Sequence, residues 1–162
     1  MKKIIAVGAV VAATSAFADT QGSITIQGTV QEKTSISVQP VSGYNNLNLE
    51  QGATDLVVAT VTEVCNYPRG YTVTLKSQNA ESRQAYLQGY SLENTDRIPY
   101  SIKYGNSVVN LDDQGEAKVT DANGKTPKNG VTRQVKITFS GGDWLAADTY
   151  SDTLTFTIAA KL

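Results

Sequence analysis

Residues 22–30 read GSITIQGTV, and Gly22, Ile24, Ile26, Gly28 and Val30 share one parity. Apolar side chains at every second position, with Gly28 where another would fall, describe a strand with one apolar face. The same parity runs on through QEKTSISV at residues 31–38, where Ile36 and Val38 are again even-numbered. No charged residue stands between Thr20 and Gln31. A strand at the edge of a sheet is ordinarily blunted with charge, so the segment raises the question of what it pairs with.

The residues before it carry a different signal. MKKIIAVGAVVAATSAFADT has Lys2 and Lys3, then an apolar run, then small residues closing on Ala16-Phe17-Ala18. That is the three-part pattern of a secretory signal peptide over 1–18, with cleavage expected after Ala18. The uncharged run Ile4–Ala18 is 15 residues long, short of the roughly 20 needed to span a bilayer, so no membrane insertion of the mature protein is expected. The expected mature chain, Asp19–Leu162, has 144 residues, which suits one domain. Without Lys2 and Lys3, 12 basic residues face 15 acidic ones, a net charge of −3. Nothing in that balance points to nucleic acid or an anionic membrane as partner. Cys65 is the only cysteine. It has no intramolecular partner, and with Val61, Val64 and Tyr67 beside it the expected state is a buried thiol rather than a reactive one.

Thr, Val, Ile and Tyr recur in short alternating runs, and helix-forming stretches are scarce. Candidate strands lie at 22–30, 34–39, 56–64, 70–76, 98–104, 107–111, 131–139 and 149–158, with turn signals such as PRG at 68–70 and NG at 129–130 between them. Strands of this number and spacing predict a β-sandwich of the immunoglobulin type. Val135, Ile137 and Phe139 alternate with polar residues, as do Leu154, Phe156 and Ile158, the mark of antiparallel sheets with one face in water. The polar segment 77–97 reads as a long connection, with one helical turn or a short strand at Ala85–Tyr90.

Catalytic chemistry is hard to place. The chain has no histidine, which removes the commonest general base and metal ligand. No phosphate loop, dinucleotide fingerprint or zinc spacing occurs, and no cofactor is called for. Asp112, Asp113, Glu116, Asp121 and Asn123 are oxygen donors of the kind calcium takes, but their spacing fits ordinary turns better. Tyr86, Tyr90, Tyr100, Tyr104 and Trp144 could line a sugar-binding face. The expectation is a protein that is not an enzyme, with no catalytic residues and no metal site.

The two ends of the chain resemble one family. GSITIQGTV is similar to the N-terminal extension of bacterial chaperone–usher pilus subunits, whose donor strand follows a Gly-x-apolar-x-apolar-x-Gly-x-apolar pattern; Ile24, Ile26, Gly28 and Val30 occupy the matching places. TYSDTLTFTI at 149–158 resembles the last strand of those subunits, and with VCNYPRGYTVTL at 64–75 it looks closest to the spore coat protein U-like, archaic branch. KTSISV and GVTRQVKI are also loosely similar to the branch that includes enterotoxigenic colonisation fimbriae. Many pilins carry a disulfide beginning soon after the donor strand, and QEKTSISV has no cysteine.

The resemblance implies an all-β fold, an incomplete immunoglobulin-like β-sandwich with an N-terminal donor-strand extension at 19–33 and a pilin domain at 34–162. It implies a fimbrial subunit, more plausibly of the shaft than the tip, that polymerises by donor-strand exchange and serves adhesion or biofilm formation. Its implied partners are identical subunits, a periplasmic chaperone, an outer-membrane usher and, at the filament's end, a tip adhesin; its implied location is the periplasm in transit and then the cell surface. Leu154, Phe156 and Ile158 would line the groove that the chaperone fills first. The alternative is a self-contained secreted β-sandwich, a carbohydrate-binding or coat protein, in which 22–30 folds onto its own domain.

Overall fold

A computed structural model describes residues 21–162. The expected signal peptide at 1–18 lies outside the described residues, as do Asp19 and Thr20 of the expected extension. The chain divides into one unit up to Val30 and a second, Gln31–Leu162.

The described residues form ten strands and no helix: β1 Thr34–Pro40, β2 Gly52–Cys65, β3 Tyr71–Ser77, β4 Ala85–Gly89, β5 Arg97–Tyr104, β6 Ser107–Val108, β7 Glu116–Ala122, β8 Val131–Ser140, β9 Tyr150–Ser151 and β10 Leu154–Ala160. One sheet has the order β1-β2-β8-β5-β4-β9, with β6 added to β5, and the other has the order β10-β3-β7. Every pairing is antiparallel.

Side-chain alternation decides what lies between the sheets. In β3, Tyr71, Val73, Leu75 and Ser77 are buried while Thr72 and Thr74 are half-buried and Lys76 is exposed. In β5 the buried set is Ile98, Tyr100, Ile102 and Tyr104, and in β8 it is Val135, Ile137 and Phe139. Residues from both sheets meet in one apolar cluster, which holds Leu75 of one sheet together with Val61, Ile102 and Val135 of the other. The incomplete immunoglobulin-like β-sandwich expected from the sequence is the fold this chain builds.

Four elements differ from expectation. Residues 22–30 form no strand here: Ile24, Ile26 and Val30 are 86%, 90% and 87% exposed. The strand β7 was hidden in EAKVTDA, whose acids suggest turns, because its ladder to β3 fixes it rather than its own propensity. The short strand allowed at Ala85–Tyr90 is present as β4, whereas the expected strand 149–158 breaks into β9 and β10 around Asp152 and Thr153. The strand expected at 107–111 shrinks to the two residues of β6.

The turn between β2 and β3 requires its glycine. Gly70 has φ +96°, and a Cβ there would lie 1.9 Å from the Ala122 carbonyl oxygen. Any side chain at this position would push β3 off β7.

Candidate functional site

The edges of the two sheets define the site. The strand β1 ends one sheet and β10 ends the other, and no hydrogen-bonded ladder joins them although they lie close together. Their directions follow from their partners. Thr34 pairs with Cys65 and Ala160 with Tyr71, and Cys65 and Tyr71 share one buried cluster. So β1 begins at the end of the sandwich where β10 finishes.

At that end the gap is closed. Ile36 from β1 and Phe156, Ile158 and Ala160 from β10 all pack on Cys65, Tyr71 and Val73. Towards the other end the edges part, leaving a groove of about 280 Å3. Its floor is Leu87, Tyr100, Val135 and Ile137, and its walls include Val38 and Pro40 on one side and Leu154 and Phe156 on the other. The bulge in β2 helps to open it. Register shifts between Ala53 and Leu56 and between Val57 and Ala59 turn both Val58 and Ala59 towards the groove, as an extra residue in a ladder does. The carbonyl of Val58 accepts a hydrogen bond from Val41 N at 2.9 Å.

Of the residues expected to form an acceptor edge, Leu154, Phe156 and Ile158 all stand on the half-buried face of β10. Leu154 and Phe156 line the groove, whereas Ile158 belongs to the closed end. Inward-facing residues of the central strands are almost wholly buried, yet this edge is not, and Val38 opposite is 41% exposed. Gly28 has nothing within 4 Å of where a Cβ would sit, so no neighbour in this structure demands a glycine there.

Asp152 closes the far end of the groove. Its Oδ2 accepts hydrogen bonds from Ser77 Oγ and Tyr100 OH, each at 2.6 Å, and its Oδ1 accepts from Asn79 N at 3.0 Å and Thr153 N at 2.7 Å. Four donors on one carboxylate tie β3 and β5 to the break between β9 and β10. Burial, then the Asp152 charge, pushes the Tyr100 hydroxyl's pKa well above the usual tyrosine value. An acid amid the Thr and Leu of TYSDTLTFTI was the available sequence signal, since a strand core rarely carries one without partners.

A second carboxylate, Glu63, lies wholly buried near the closed end. Its oxygens accept hydrogen bonds from Tyr71 OH at 2.8 Å, Tyr104 OH at 2.5 Å and Thr120 Oγ1 at 2.7 Å. Arg133 Nε stands 3.5 Å away, without a hydrogen bond of its own. Burial and then the bond to Glu63 raise the pKa values of both Tyr71 and Tyr104. These groups come from β2, β3, β5, β7 and β8, so the hub joins the two sheets. Sequence reading missed it because Glu63 looks like an ordinary outward acid in VTEVC.

The other candidates disperse. Tyr100 and Tyr104 are core residues, whereas Tyr90 and Trp144 are exposed and Tyr86 lies under the Arg97 guanidinium, so no common aromatic face forms from the five. The acids pair separately: Asp113 with Arg83, Glu116 with Lys76, and Asp121 with Lys118 and Lys161. Asp112 instead caps its own turn, accepting from Gln114 N and Glu116 N. No group of three or more metal-ligating side chains occurs among the described residues. Cys65 is buried and unpaired, with its sulfur 3.4 Å from Tyr67 N.

No protein-family model matches the chain, and no curated protein matches it. Solved structures with a similar backbone include HdaB, the minor tip subunit of the Escherichia coli Hda pilus (TM-score 0.39, 14% identity, covering 76% of this chain and 79% of that one). Another comes from work on fibronectin binding and biofilm formation by AAF fimbriae of enteroaggregative Escherichia coli (TM-score 0.38, 14% identity, 78% and 98% covered). A third is SefD_dscA, crystallised in D2O (TM-score 0.38, 15% identity, 80% and 99% covered).

Proposed function

We propose that this chain is an exported fimbrial subunit that polymerises by strand exchange, residues 22–30 of one copy completing the sandwich of the next. The observation that carries this reading is the unladdered gap between β1 and β10, with its apolar floor. An extended segment laid there supplies both missing ladders and alternate side chains for the groove. Residues 22–30 have the required pattern and are exposed, with Ile24, Ile26 and Val30 as anchors. Each fully buried anchor contributes roughly 1.5–3 kcal/mol and each net hydrogen bond about 0.5–1.5 kcal/mol. On this reading Gly28 meets the groove where a side chain would not fit and so fixes register, because a slip of one residue would turn every anchor outward. Head-to-tail exchange does not close on itself and so generates a filament.

On this reading a periplasmic chaperone holds the groove open until an outer-membrane usher presents the next subunit of the shaft. The resemblance of TYSDTLTFTI and VCNYPRGYTVTL to the spore coat protein U-like branch favours that lineage. The test is the thermal melt of a chain beginning at Gln31, with and without a peptide of residues 19–33. Strand exchange requires the peptide to raise the melting point by tens of degrees, and the Ile26→Asp peptide to leave it unmoved. A truncated domain that melts cooperatively and ignores the peptide would sink the reading in favour of a self-contained sandwich.

A further inference from the structure

A donor segment tethered to its own groove faces a competition that the geometry makes explicit. Because β1 starts where β10 ends, residues 22–30 could enter their own groove only by reversing direction within Gln31–Lys33, forming a hairpin with β1. Neighbouring strands lie about 4.8 Å apart, and loops of two to five residues commonly connect such hairpins. A segment on so short a tether has an effective concentration on the order of millimolar. Self-insertion would therefore outcompete another subunit unless the reversal is blocked.

Asn66 supplies the block. Its backbone N–H donates to the Lys33 carbonyl at 3.0 Å, one step beyond the Thr34–Cys65 pair that begins the β1–β2 ladder. Its side-chain Oδ1 accepts from Lys33 N at 2.7 Å, and its Nδ2 donates to the Gln31 carbonyl at 2.8 Å. The carboxamide thus acts as a surrogate peptide group. It binds the C=O of one residue and the N–H of the residue two further on, which face the same side when the chain between them is extended. Extended residues advance about 3.3 Å each, whereas a tight turn needs its first and fourth Cα atoms within about 7 Å. With Gln31–Lys33 held in line with β1, the hairpin cannot close.

We infer that Asn66 is an exit clamp that keeps the chain's own segment 22–30 out of its own groove and so leaves it available to a second copy. This rests on the strand-exchange reading above and adds a positioning residue to it. The experiment measures binding of a fluorescein-labelled peptide of residues 19–33 to the mature chain Asp19–Leu162. Asn66→Ala frees the tether, the chain's own segment occupies the groove, and peptide affinity falls at least tenfold. Adding Ile24→Asp and Ile26→Asp, which spoil the tethered segment, restores it to the unsubstituted level. Asn66→Asp keeps the acceptor for Lys33 N, loses the donor to Gln31, and falls between. Unchanged affinity in Asn66→Ala overturns the clamp and leaves the groove reading standing. A loss that the Asp pair does not rescue also overturns it, since Asn66 would then serve folding alone. Absence of peptide binding by the unsubstituted chain overturns the groove reading and the clamp with it.

Discussion

The same two edge strands meet very different surroundings along their length. At one end, Ile36, Ile158 and Ala160 close over Cys65 and Tyr71, with the Glu63 hub nearby bonding the sheets together. At the other end, Val38 and Leu154 stand apart over a floor of Leu87 and Ile137. The closed end adds polar bonds inside the core to its apolar packing, while the open end has apolar surface without a cover. A buried carboxylate is expensive unless its lone pairs are used, and three hydroxyl donors and a guanidinium answer that cost at Glu63. Asp152 fastens the groove's far end with four donors of its own, but neither hub bonds β1 to β10, which leaves room for an added strand along the groove.

Removing the hub's centre breaks the comparison most severely. Glu63→Ala leaves three buried hydroxyls without their acceptor and Arg133 without its counter-charge and is expected to cost about 3–5 kcal/mol, read by urea denaturation. Glu63→Gln keeps an acceptor but turns one site into a donor, and should cost about 1–3 kcal/mol. Equal effects for the two would mean that space-filling, not the hydrogen bonds, fastens this end.

The groove end predicts a cost that depends on its cover. Phe156→Ala removes a half-buried ring that lies 5.7 Å from the Tyr104 ring. In the uncovered chain the loss should be about half of the roughly 3–5 kcal/mol typical of a buried Phe. With the 19–33 peptide bound it should approach the full figure. A thermodynamic cycle across peptide binding measures the difference, and no difference would mean that the added strand does not cover Phe156.

Alkali tests both ends at once, since Tyr71 and Tyr104 bind Glu63 and Tyr100 binds Asp152. All three have folded pKa values raised above the ordinary tyrosine value of about 10. The folded state therefore holds protons that the unfolded chain releases. Their contribution is intact below about pH 10 and declines as pH rises from there towards the folded values. Tyrosinate absorbance should show these three of the eight tyrosines ionising only as the fold is lost, and ionisation of all eight in the native state near pH 10 would contradict the hubs.

How much of this was legible in the sequence follows from the same contrast. Period-two alternation gave the strands of the core because apolar side chains there report directly which face is buried, as in Val135, Ile137 and Phe139. The half-buried face of β10, with Leu154, Phe156 and Ile158, was legible for the same reason. The hubs were not, because Glu63 and Asp152 acquire meaning only from partners far along the chain, Thr120 being 57 residues from Glu63 and Ser77 being 75 from Asp152. The break at Asp152 was invisible to a periodicity that runs straight through it. Asn66 was hidden too, since its function lies in bonds to backbone atoms 33 and 35 residues earlier.

The smallest effect belongs to the closed end's outer surface. Lys118 and Lys161 both bond Asp121 and together bring its pKa down to about 2. The folded value is depressed, so the pair's contribution is present above the unfolded value near 4 and is lost as pH falls through about 2. Exposed pairs of this kind contribute little to stability, so Lys161→Ala should leave the melting point essentially unchanged at pH 7. What it should change is the titration of Asp121 followed by carboxyl NMR, which moves upward as one of two cationic partners disappears. A midpoint that stays near 2 would assign the depression to Lys118 alone. A drop of several degrees in the melting point would mean that the C-terminal residues fasten the closed end as firmly as the hub does.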